Sequence, residues 1–357
     1  MRRFAEKVFF ILYYVIVILF CAGYAARYIH PGSMWWLQLV ALSLPILSLI
    51  VLLSTVVVAF MKVDSLSLIQ FGLCAMIVVR FFPPFMPPPY DAQGTITIMS
   101  FNAGKNYGME GDGEQLWRQL IAPVFPELVA VQEPGVRAHR FGVEPADHGL
   151  EESGYTAFLP PDSSEFSTTY LVLSRIEVEA VEEIRSGGSM GDDSVPLALR
   201  VVFNWQGNRM VLYSVHLRSF REKPWKIPAS QWMDLSGWGR TLRRYRADLR
   251  MRSHDASELK HRMDQESVPY IVAGDFNSTP HNWPYGRLAR GMRDAHFLAG
   301  RGLGLTFPTN QPLVRIDYIL ASREWQVVSA EIAPPSVISD HRATVGRLVL
   351  NNSSMEE

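Results

Sequence analysis

The sequence predicts a membrane-anchored α/β protein, in which transmembrane helices precede a water-soluble domain of strands and helices. Two observations carry this prediction. The chain has 357 residues, of which 48% are hydrophobic and 19% charged, but the first 90 residues hold only six Lys/Arg and two Asp/Glu. From Thr95 onward, short apolar runs rich in β-branched residues alternate with polar segments, a pattern typical of strands in a folded domain.

Three apolar runs in residues 1–82 predict a membrane anchor of three transmembrane helices. They lie at about 8–26, 35–61 and 65–82. Crossing the hydrocarbon core takes about 20 such residues. Pro45 would kink the second run, which membrane helices tolerate where neighbours satisfy the freed carbonyl. A signal peptide is the alternative for the first run, but the length of that run and the two that follow favour spans.

Basic residues near the ends of the runs predict the orientation. One side carries Arg2, Arg3, Lys7 and Lys62, and the other carries Arg27 and Arg80. The basic excess places the N-terminus in the cytoplasm. Three crossings then put the soluble domain outside the cytoplasm, so the expected protein is a multi-pass protein of the cell membrane. Cys21 and Cys74 both lie in apolar runs, so no disulfide framework indicates the compartment.

Residues 83–93 predict a proline-rich linker between the anchor and a soluble domain at 94–350, with a tail at 351–357. A proline-rich segment favours a stiff, extended form of about 3.1 Å per residue, which would hold the domain close to the bilayer. Of the chain's 34 Lys/Arg and 35 Asp/Glu, 28 and 33 lie beyond residue 90, so this part is acidic by about five charges.

Eight apolar runs predict the strands of the soluble domain. They are Thr95–Ser100, Leu128–Val131, Tyr170–Leu173, Leu199–Phe203, Met210–Val215, Tyr270–Ala273, Ile316–Leu320 and Ala343–Leu350. A hairpin turn is expected at Gln206-Gly207-Asn208. Apolar residues at helical spacing predict a helix over Thr241–Met263, and Glu114–Ala122 is a second candidate.

Several predicted strands end in polar residues that a core would not contain. The set is Asn102, Glu133, His216, Asp275, Asn277, Asp317, Asp340 and His341. A single strand-end acid or histidine is more often structural, but six such strand ends share oxygen and imidazole chemistry without a cysteine. That chemistry suits a hard cation such as Mg²⁺ or Mn²⁺. Asp275 and Asn277 are two residues apart, so on a strand both would face the same side.

In order and spacing, this set resembles the endonuclease/exonuclease/phosphatase (DNase I-like) superfamily over residues 94–350. The motifs that carry the resemblance are Gly274-Asp275-Phe276-Asn277, Ile316-Asp317-Tyr318 and Ser339-Asp340-His341. The resemblance implies a four-layer sandwich, with two mixed β-sheets face to face, helices outside, and an active site where strand ends and loops meet.

The resemblance also implies roles for these residues. Glu133 is expected to be the principal Mg²⁺ ligand, helped by Asn102 and Asp340, with Mn²⁺ as a possible substitute. Asp275 is expected to orient or deprotonate the attacking water, and Asn277 to donate to the phosphate.

The two histidines are expected at the phosphate. His341 would contact the scissile phosphoryl oxygen, with Asp317 holding its other nitrogen, and His216 would be a second imidazole there. A carboxylate partner raises an imidazole's pKa and orients it. The implied reaction is metal-dependent hydrolysis of a phosphoester or phosphoanhydride by water, without a covalent enzyme intermediate.

Substrate class is less determined, because these residues specify the bond and not the molecule. An acidic domain disfavours a nucleic acid, although Leu217–Arg262 holds twelve Lys/Arg against five acids. A stretch with Trp225, Trp232 and Trp238 among cations is typical of a membrane interface and favours a lipid-borne phosphate.

The overall layout resembles the bacterial membrane phosphatases linked to teicoplanin resistance. That resemblance implies a polyprenyl (undecaprenyl) pyrophosphate as substrate outside the cytoplasmic membrane. Two alternatives stay open. One is a membrane-anchored nuclease or other phosphodiesterase, and the other is a catalytically silent membrane scaffold. The sequence leaves the oligomeric state open.

Overall fold

The computed structural model describes residues 2–61, 64–82, 94–104, 116–134, 154–161, 169–187, 194–221 and 235–351. The chain forms two compact units. The helical unit comprises Met1–Met86, Phe220–Ser253 and Thr279–Gly286. The sandwich unit comprises Pro87–Ser219, His254–Ser278 and Arg287–Glu357. The predicted linker 83–93 and most of the tail lie outside the described residues.

The helical unit begins with five helices. They are α1 (Arg2–Ala25), α2 (Pro31–Met34), α3 (Leu37–Leu42), α4 (Leu44–Met61) and α5 (Asp64–Phe81). The first and third predicted spans are thus single helices, whereas the second is broken at Ser43 into α3 and α4. The break lies next to Pro45, which lacks an N–H and is favoured in the first turn of a helix, where that N–H would have no intrahelical partner.

One of these helices is long and apolar enough to cross a membrane by itself, over Lys7–Ala25. The apolar parts of α4 and α5, Leu44–Phe60 and Leu66–Phe81, are shorter. The described residues therefore contain one helix of spanning length where the sequence predicted three. The break before α4 shortens the second run, and the apolar part of α5 extends only over Leu66–Phe81.

Helices α1, α4 and α5 share an apolar core around Phe20, Leu47 and Leu73. Gln70 is 2% exposed and lies within this bundle. Its Nε2 donates to Val51 O at 2.6 Å and to Thr55 Oγ1 at 2.7 Å, and its Oε1 accepts from Tyr13 Oη at 3.1 Å. The amide is therefore satisfied without water.

Helix α6 (Leu235–Met263) starts six residues before the predicted helix at Thr241. Of its basic residues, Arg252 is only 1% exposed, with Cζ 3.8 Å from the centre of the Phe220 ring. Arg252 therefore packs in the interior, whereas Arg240, Arg243, Arg244, Arg246 and Arg250 are exposed. Trp225 and Trp232 of the predicted membrane-interface stretch lie outside the described residues, whereas Arg221 and Trp238 lie within them.

The sandwich unit contains twelve strands among its described residues. They are β1 (Ile96–Asn102), β2 (Leu128–Gln132), β3 (Thr156–Phe158), β4 (Tyr170–Ser174), β5 (Val178–Arg185), β6 (Pro196–Trp205), β7 (Asn208–His216), β8 (Tyr270–Asp275), β9 (Arg293–Asp294), β10 (Asp317–Ala321), β11 (Trp325–Ile332) and β12 (Thr344–Leu350). Short helices α7 (Trp283–Leu288) and α8 (Ala295–Ala299) follow β8 and β9.

These strands form two six-stranded sheets, in the orders β11-β12-β1-β2-β4-β3 and β5-β6-β7-β8-β10-β9. Each sheet contains one parallel pair, β1 with β2 and β7 with β8, among antiparallel neighbours. The predicted α/β fold with two mixed sheets and accompanying helices is confirmed at this level.

The main core contains residues from both sheets, including Ile98, Ala130, Leu212, Ile271 and Ile319. On the first sheet, the sequence neighbours of these core residues face the opposite side. Met99, next to Ile98, and Val129, next to Ala130, form a second cluster there with Leu120 and Ile121. This segment is a π-helical turn at Trp117–Ile121 followed by a short α-helix at Ala122–Val124. The helix expected at Glu114–Ala122 is thus helical over its described part, and residues 114 and 115 lie outside that part.

The predicted hairpin is confirmed, since Trp205 pairs with Asn208 across Gln206 and Gly207, both at positive φ. Four strands were not predicted: β3, β5, β9 and β11. All four are edge strands of their sheets. An edge strand such as β5 alternates only partly between buried and exposed residues, so it lacks the apolar run by which the central strands are recognised.

Candidate active site

Two polar residues follow the parallel pair of the first sheet. Asn102 ends β1 and lies in register with Gln132, the last residue of β2, so Glu133 follows at the same edge. Glu133 has φ of +48°, a conformation that non-glycine residues rarely adopt. Local backbone strain of this kind is common at functional sites.

The parallel pair of the second sheet ends in the same way. His216 lies in register with Asp275, and Asp317 at the start of β10 pairs with Asp275 from the other side. Gly274 allows the close approach of β7 and β8, because a Cβ there would lie 1.9 Å from Val215 O. His216 on β7, Asp275 on β8 and Asp317 on β10 are thus neighbours across three adjacent strands.

Asp275 connects the polar ends of the two sheets. Its Oδ2 accepts a hydrogen bond from Asn102 Nδ2 at 3.0 Å, and its Oδ1 accepts from Asn277 N at 2.6 Å. Asn277 Nδ2 also donates to Asp275 Oδ2 at 3.2 Å and to Leu217 O at 2.9 Å. Asn277 has φ of +48°, so the chain turns here while both side chains stay together.

Each imidazole is paired with a different carboxylate. His341 Nδ1 lies 3.0 Å from Asp317 Oδ2, and its Nε2 lies 3.9 Å from Asp275 Oδ2. His216 Nε2 lies 3.2 Å from Glu133 Oε1 and 3.9 Å from Asp275 Oδ2. The two histidines therefore flank the Asp275 carboxylate.

Burial and charge shift two pKa values in this cluster. Burial raises the pKa of Asp275 above its ordinary value, and the nearby charge of Asp317 adds to this. For His341, burial alone would lower the pKa, but Asp317 outweighs it by charge and hydrogen bond and raises the pKa to about 10. His341 is therefore protonated at neutral pH while Asp275 is a stronger base than an exposed aspartate.

The donor set fits a hard cation. Asn102, Glu133, Asp275 and Asp317 all offer oxygen atoms, which Mg²⁺ and Mn²⁺ prefer. Ligand atoms of Asp275, Asp317 and His341 lie within 4.8 Å of one another. Asp275 and Asp317 are direct neighbours across β8 and β10, and a bound cation would relieve the repulsion between the two carboxylates.

Seven of the eight predicted site residues are joined in one cluster by the contacts above. The eighth, Asp340, is exposed; its main-chain O accepts a hydrogen bond from Thr309 N at 2.7 Å. Its charge is among those that raise the pKa of His341. The expected ligand set Asn102, Glu133 and Asp340 stays a prediction, as do the individual roles of the other residues.

Sequence reasoning missed residues that hold this cluster in place. Ser339 Oγ donates to Asn102 O at 2.6 Å and accepts from His341 N at 2.9 Å. Tyr170 Oη donates to His216 O at 3.4 Å. Ser339 could have been found from its place in the Ser339-Asp340-His341 motif, whereas Tyr170 opens an apolar run and gives no such signal.

Comparison with known proteins locates this cluster within a family. The family model described as Endonuclease/Exonuclease/phosphatase family matches residues 99–341, and a domain of unknown function (DUF8431) matches residues 6–83. A search of curated proteins gave no match.

Three solved structures illustrate the likeness in fold. An endonuclease/exonuclease/phosphatase from Bacteroides vulgatus is 20% identical, covers 72% of this chain and 99% of its own, and has a TM-score of 0.51. D. rerio TDP2 complexed with single strand DNA product is 13% identical, covers 72% of this chain and 100% of its own, and has a TM-score of 0.53. The Bacteroides thetaiotaomicron mannosyl-6-phosphatase is 16% identical, covers 71% of this chain and 100% of its own, and has a TM-score of 0.50.

These identities show the fold alone, but the family model covers more than half of the chain and includes all eight predicted site residues. The chain belongs to the endonuclease/exonuclease/phosphatase family.

Proposed function

We propose that this protein is a membrane-anchored, divalent-metal-dependent phosphohydrolase that acts on a lipid-borne phosphate or pyrophosphate. The observation that carries the proposal is the position of Asp275, a buried carboxylate bonded to Asn102 and Asn277 and flanked by His216 and His341. Members of the family hydrolyse phosphoester bonds, and this cluster has the groups that such hydrolysis needs.

In this proposal Asp275 positions the attacking water and accepts its proton. A base whose pKa is raised toward the working pH transfers protons more efficiently than one with an ordinary pKa, and burial raises the pKa of Asp275. Asn277 donates its two amide hydrogens to Asp275 Oδ2 and Leu217 O, so in this proposal it holds the carboxylate in position. General-base catalysis of this kind contributes about 10²- to 10⁴-fold.

His341 supplies positive charge to the phosphoryl group. Asp317 holds its Nδ1, which leaves Nε2 as the donor toward substrate, and the raised pKa keeps the ring charged at neutral pH. Donors fixed in place before the reaction stabilise developing charge without reorganisation. A divalent cation held by Glu133, Asn102 and neighbouring carboxylates would offset charge on the non-bridging oxygens.

The exposed apolar surface of the helical unit supports membrane anchoring. Ile18 on α1, Leu53 on α4 and Phe71 on α5 are 65%, 63% and 74% exposed. Soluble proteins rarely expose apolar surface on three adjoining helices. We therefore infer that all three helices lie in a bilayer, with the N-terminus in the cytoplasm and the catalytic unit outside, as the basic residues predict.

The names of the structural neighbours leave two substrate classes to separate. One neighbour is called a mannosyl-6-phosphatase and another holds a single strand DNA product. The acidic charge beyond residue 90 and the apolar anchor favour a lipid-borne phosphate over a nucleic acid, because phosphate backbones are bound by a positive field.

The test is a substrate panel with full-length protein in lipid nanodiscs. Polyprenyl pyrophosphate, a bis-nitrophenyl phosphodiester and supercoiled plasmid are each incubated with Mg²⁺, with EDTA, and with an Asp275→Asn variant. We expect phosphate release from the lipid pyrophosphate that EDTA and Asp275→Asn both abolish. Plasmid nicking without lipid turnover would establish the nuclease alternative instead, and inactivity on every substrate would support the scaffold.

A second measurement tests the topology. Single cysteines introduced near the N-terminus and in the exposed Gln206-Gly207 turn of a Cys21→Ala/Cys74→Ala protein are labelled with an impermeant maleimide in intact cells. Labelling of the turn alone is expected, and the reverse pattern would overturn the proposed orientation.

A further inference from the structure

One arginine in the helical unit, Arg80, is buried and has no carboxylate partner among the residues that the structure describes. Arg80 lies in the last turn of α5 and is 7% exposed. Its Nη2 donates to Tyr24 O at 3.1 Å, at the C-terminal end of α1. Its Nη1 is buried and has no hydrogen-bond partner among the described residues. A buried charged donor without a partner is costly, so this atom indicates a ligand.

A second arginine lies close to the first. Arg27 follows the end of α1 by two residues and directly precedes Tyr28, whose ring centre lies 5.5 Å from Arg80 Cζ. Arg27 Nη1 donates to Pro280 O at 3.4 Å, and its Cζ lies 4.9 Å from the centre of the Tyr285 ring. The hydrogen bonds of both arginines go to main-chain oxygens, and within the described part of the chain neither pairs with a carboxylate. Two like charges held together in this way favour a shared anion.

The surroundings of the two guanidinium groups are aromatic. Arg80 Cζ lies 4.1 Å from the centre of the Tyr24 ring and 5.5 Å from that of Tyr28. Tyrosine and arginine at the end of apolar helices are typical of the level of lipid headgroups. The exposed surface of helices α1, α4 and α5 is apolar. Acyl or prenyl chains attached to an anion bound here could lie along this surface.

We propose that Arg27 and Arg80 form a phosphate-binding site for an anionic lipid, in the part of the chain whose family model has no known function. Phosphate fits because a planar guanidinium can present paired N–H groups to phosphate oxygens. The carbonyl of Tyr24 accounts for one Arg80 nitrogen, which leaves Nη1 for the ligand. The site rests on the proposed membrane placement of the bundle and does not depend on hydrolysis.

The chain connects this site to the catalytic motif. Pro280, which accepts the bond from Arg27, is three residues after Asn277. The same short segment is held by Gln38, whose Oε1 accepts from Trp283 N at 2.9 Å and from Asn282 Nδ2 at 3.2 Å. A phosphate bound at Arg27 and Arg80 would therefore lie in the helical unit near Pro280. This residue follows the Gly274-Asp275-Phe276-Asn277 motif in the sequence.

Binding is measured with full-length protein in neutral detergent and EDTA, so that no turnover is needed. Short-chain phosphatidate is titrated by intrinsic tryptophan fluorescence and by native mass spectrometry, beside short-chain phosphatidylcholine and inorganic phosphate. We expect saturable binding of phosphatidate, at least about tenfold tighter than phosphatidylcholine, since a second phosphate charge adds an interaction with a guanidinium.

Arg80→Gln and Arg27→Gln should each weaken phosphatidate binding by about tenfold or more, whereas Arg290→Gln removes an exposed charge elsewhere and should not. Because Arg80 is buried, thermal unfolding is used to check that its variant folds. Arg27 is only half-buried, so its variant should fold and can decide whether the site exists. Unchanged binding in a folded Arg27→Gln protein would overturn the site. Inorganic phosphate binding as tightly as phosphatidate would overturn the assignment to a lipid.

The result is independent of the proposed enzyme activity. A protein that hydrolyses nothing can still bind phosphatidate through Arg27, and loss of binding in the Arg27 variant leaves the Asp275-dependent hydrolysis of a soluble phosphodiester to be measured separately.

Discussion

Gln70 in the helical unit and Asp275 in the sandwich unit are both almost fully buried, at 2% and 1% exposed. Gln70 is neutral, and protein groups satisfy its amide on both sides. Asp275 can carry a charge, and next to it lie a second carboxylate and two imidazoles. Burial of a satisfied amide stabilises helix packing at modest cost, whereas burial of interacting charges shifts their pKa values. The first arrangement supports structure and the second supports chemistry.

The largest effect should come from Asp275→Asn. The substitution keeps the shape of the side chain and removes the proton acceptor, so kcat on the best substrate of the panel should fall by about 10²- to 10⁴-fold. Burial raises the pKa of Asp275, so its ionised form opposes folding, whereas the amide that replaces it cannot accept all three hydrogen bonds of the carboxylate. These effects on the free energy of unfolding oppose each other, so thermal unfolding is measured beside kcat to show that the variant is folded.

Asp264→Asn is the matched control, since Asp264 is exposed and pairs with Lys260 at the end of α6. Activity of this variant should equal that of the wild type. An Asp275→Asn protein with full activity would show that the carboxylate is structural, as the buried amide of Gln70 is.

The next effect is on the pKa of His341 in Asp317→Asn. Without this carboxylate the pKa of His341 should fall well below about 10, because burial lowers it and only the charges of Asp275 and Asp340 still raise it. The histidine C–H resonance should then titrate at a lower pH than in the wild type, in samples kept in EDTA. An unchanged titration midpoint would mean that Asp317 does not set the pKa of His341.

The same variant has a defined stability profile. A raised pKa in the folded state contributes stability that is fully present below the unfolded pKa of about 6.5 and is lost as pH rises toward 10. The stability difference between wild type and Asp317→Asn should therefore be largest in mildly acidic solution and should shrink between pH 7 and 10.

Gly274→Ala tests the backbone contact that brings His216 and Asp275 together. A Cβ at 1.9 Å from Val215 O cannot be accommodated without moving β7 or β8, and we expect a loss of about 3 kcal/mol or more in the free energy of unfolding. Gly72→Ala is the matched control in α5, where a Cβ meets nothing within 4 Å. That variant should be equal to the wild type or more stable by up to about 1 kcal/mol.

The smallest effect should come from Gln70→Ala. Loss of the bonds among Tyr13, Val51, Thr55 and Gln70 should weaken helix packing by about 1 kcal/mol, measured by unfolding of the nanodisc-reconstituted protein in a denaturing detergent. Hydrolysis of a soluble phosphodiester should be unchanged. A fall in kcat as large as that of Asp275→Asn would erase the distinction between the two buried residues.

The central strands were predictable because buried strands need apolar side chains in sequence, as in Leu128–Gln132 and Tyr270–Asp275. The edge strands β3, β5, β9 and β11 were not, since only part of each faces the core. The break between α3 and α4 was also missed, because the sequence shows that Pro45 disturbs a helix but not whether it bends or ends it.

Within the site, the sequence revealed the residues with unusual chemistry. It could not reveal Ser339 and Tyr170 as their supports, because a serine or tyrosine is common in any context and its contacts depend on distant strands.

The sequence by itself determined the apolar N-terminal runs, the mixed α/β domain and the motif residues from Asn102 to His341, because hydrophobic patterning and unusual strand-end residues are local properties. Only the tertiary structure decided that Asp275 bonds Asn102 from the other sheet, and that Arg27 and Arg80 share one end of the helical bundle. Both depend on which strands and helices become neighbours, and the packing of the whole chain decides that.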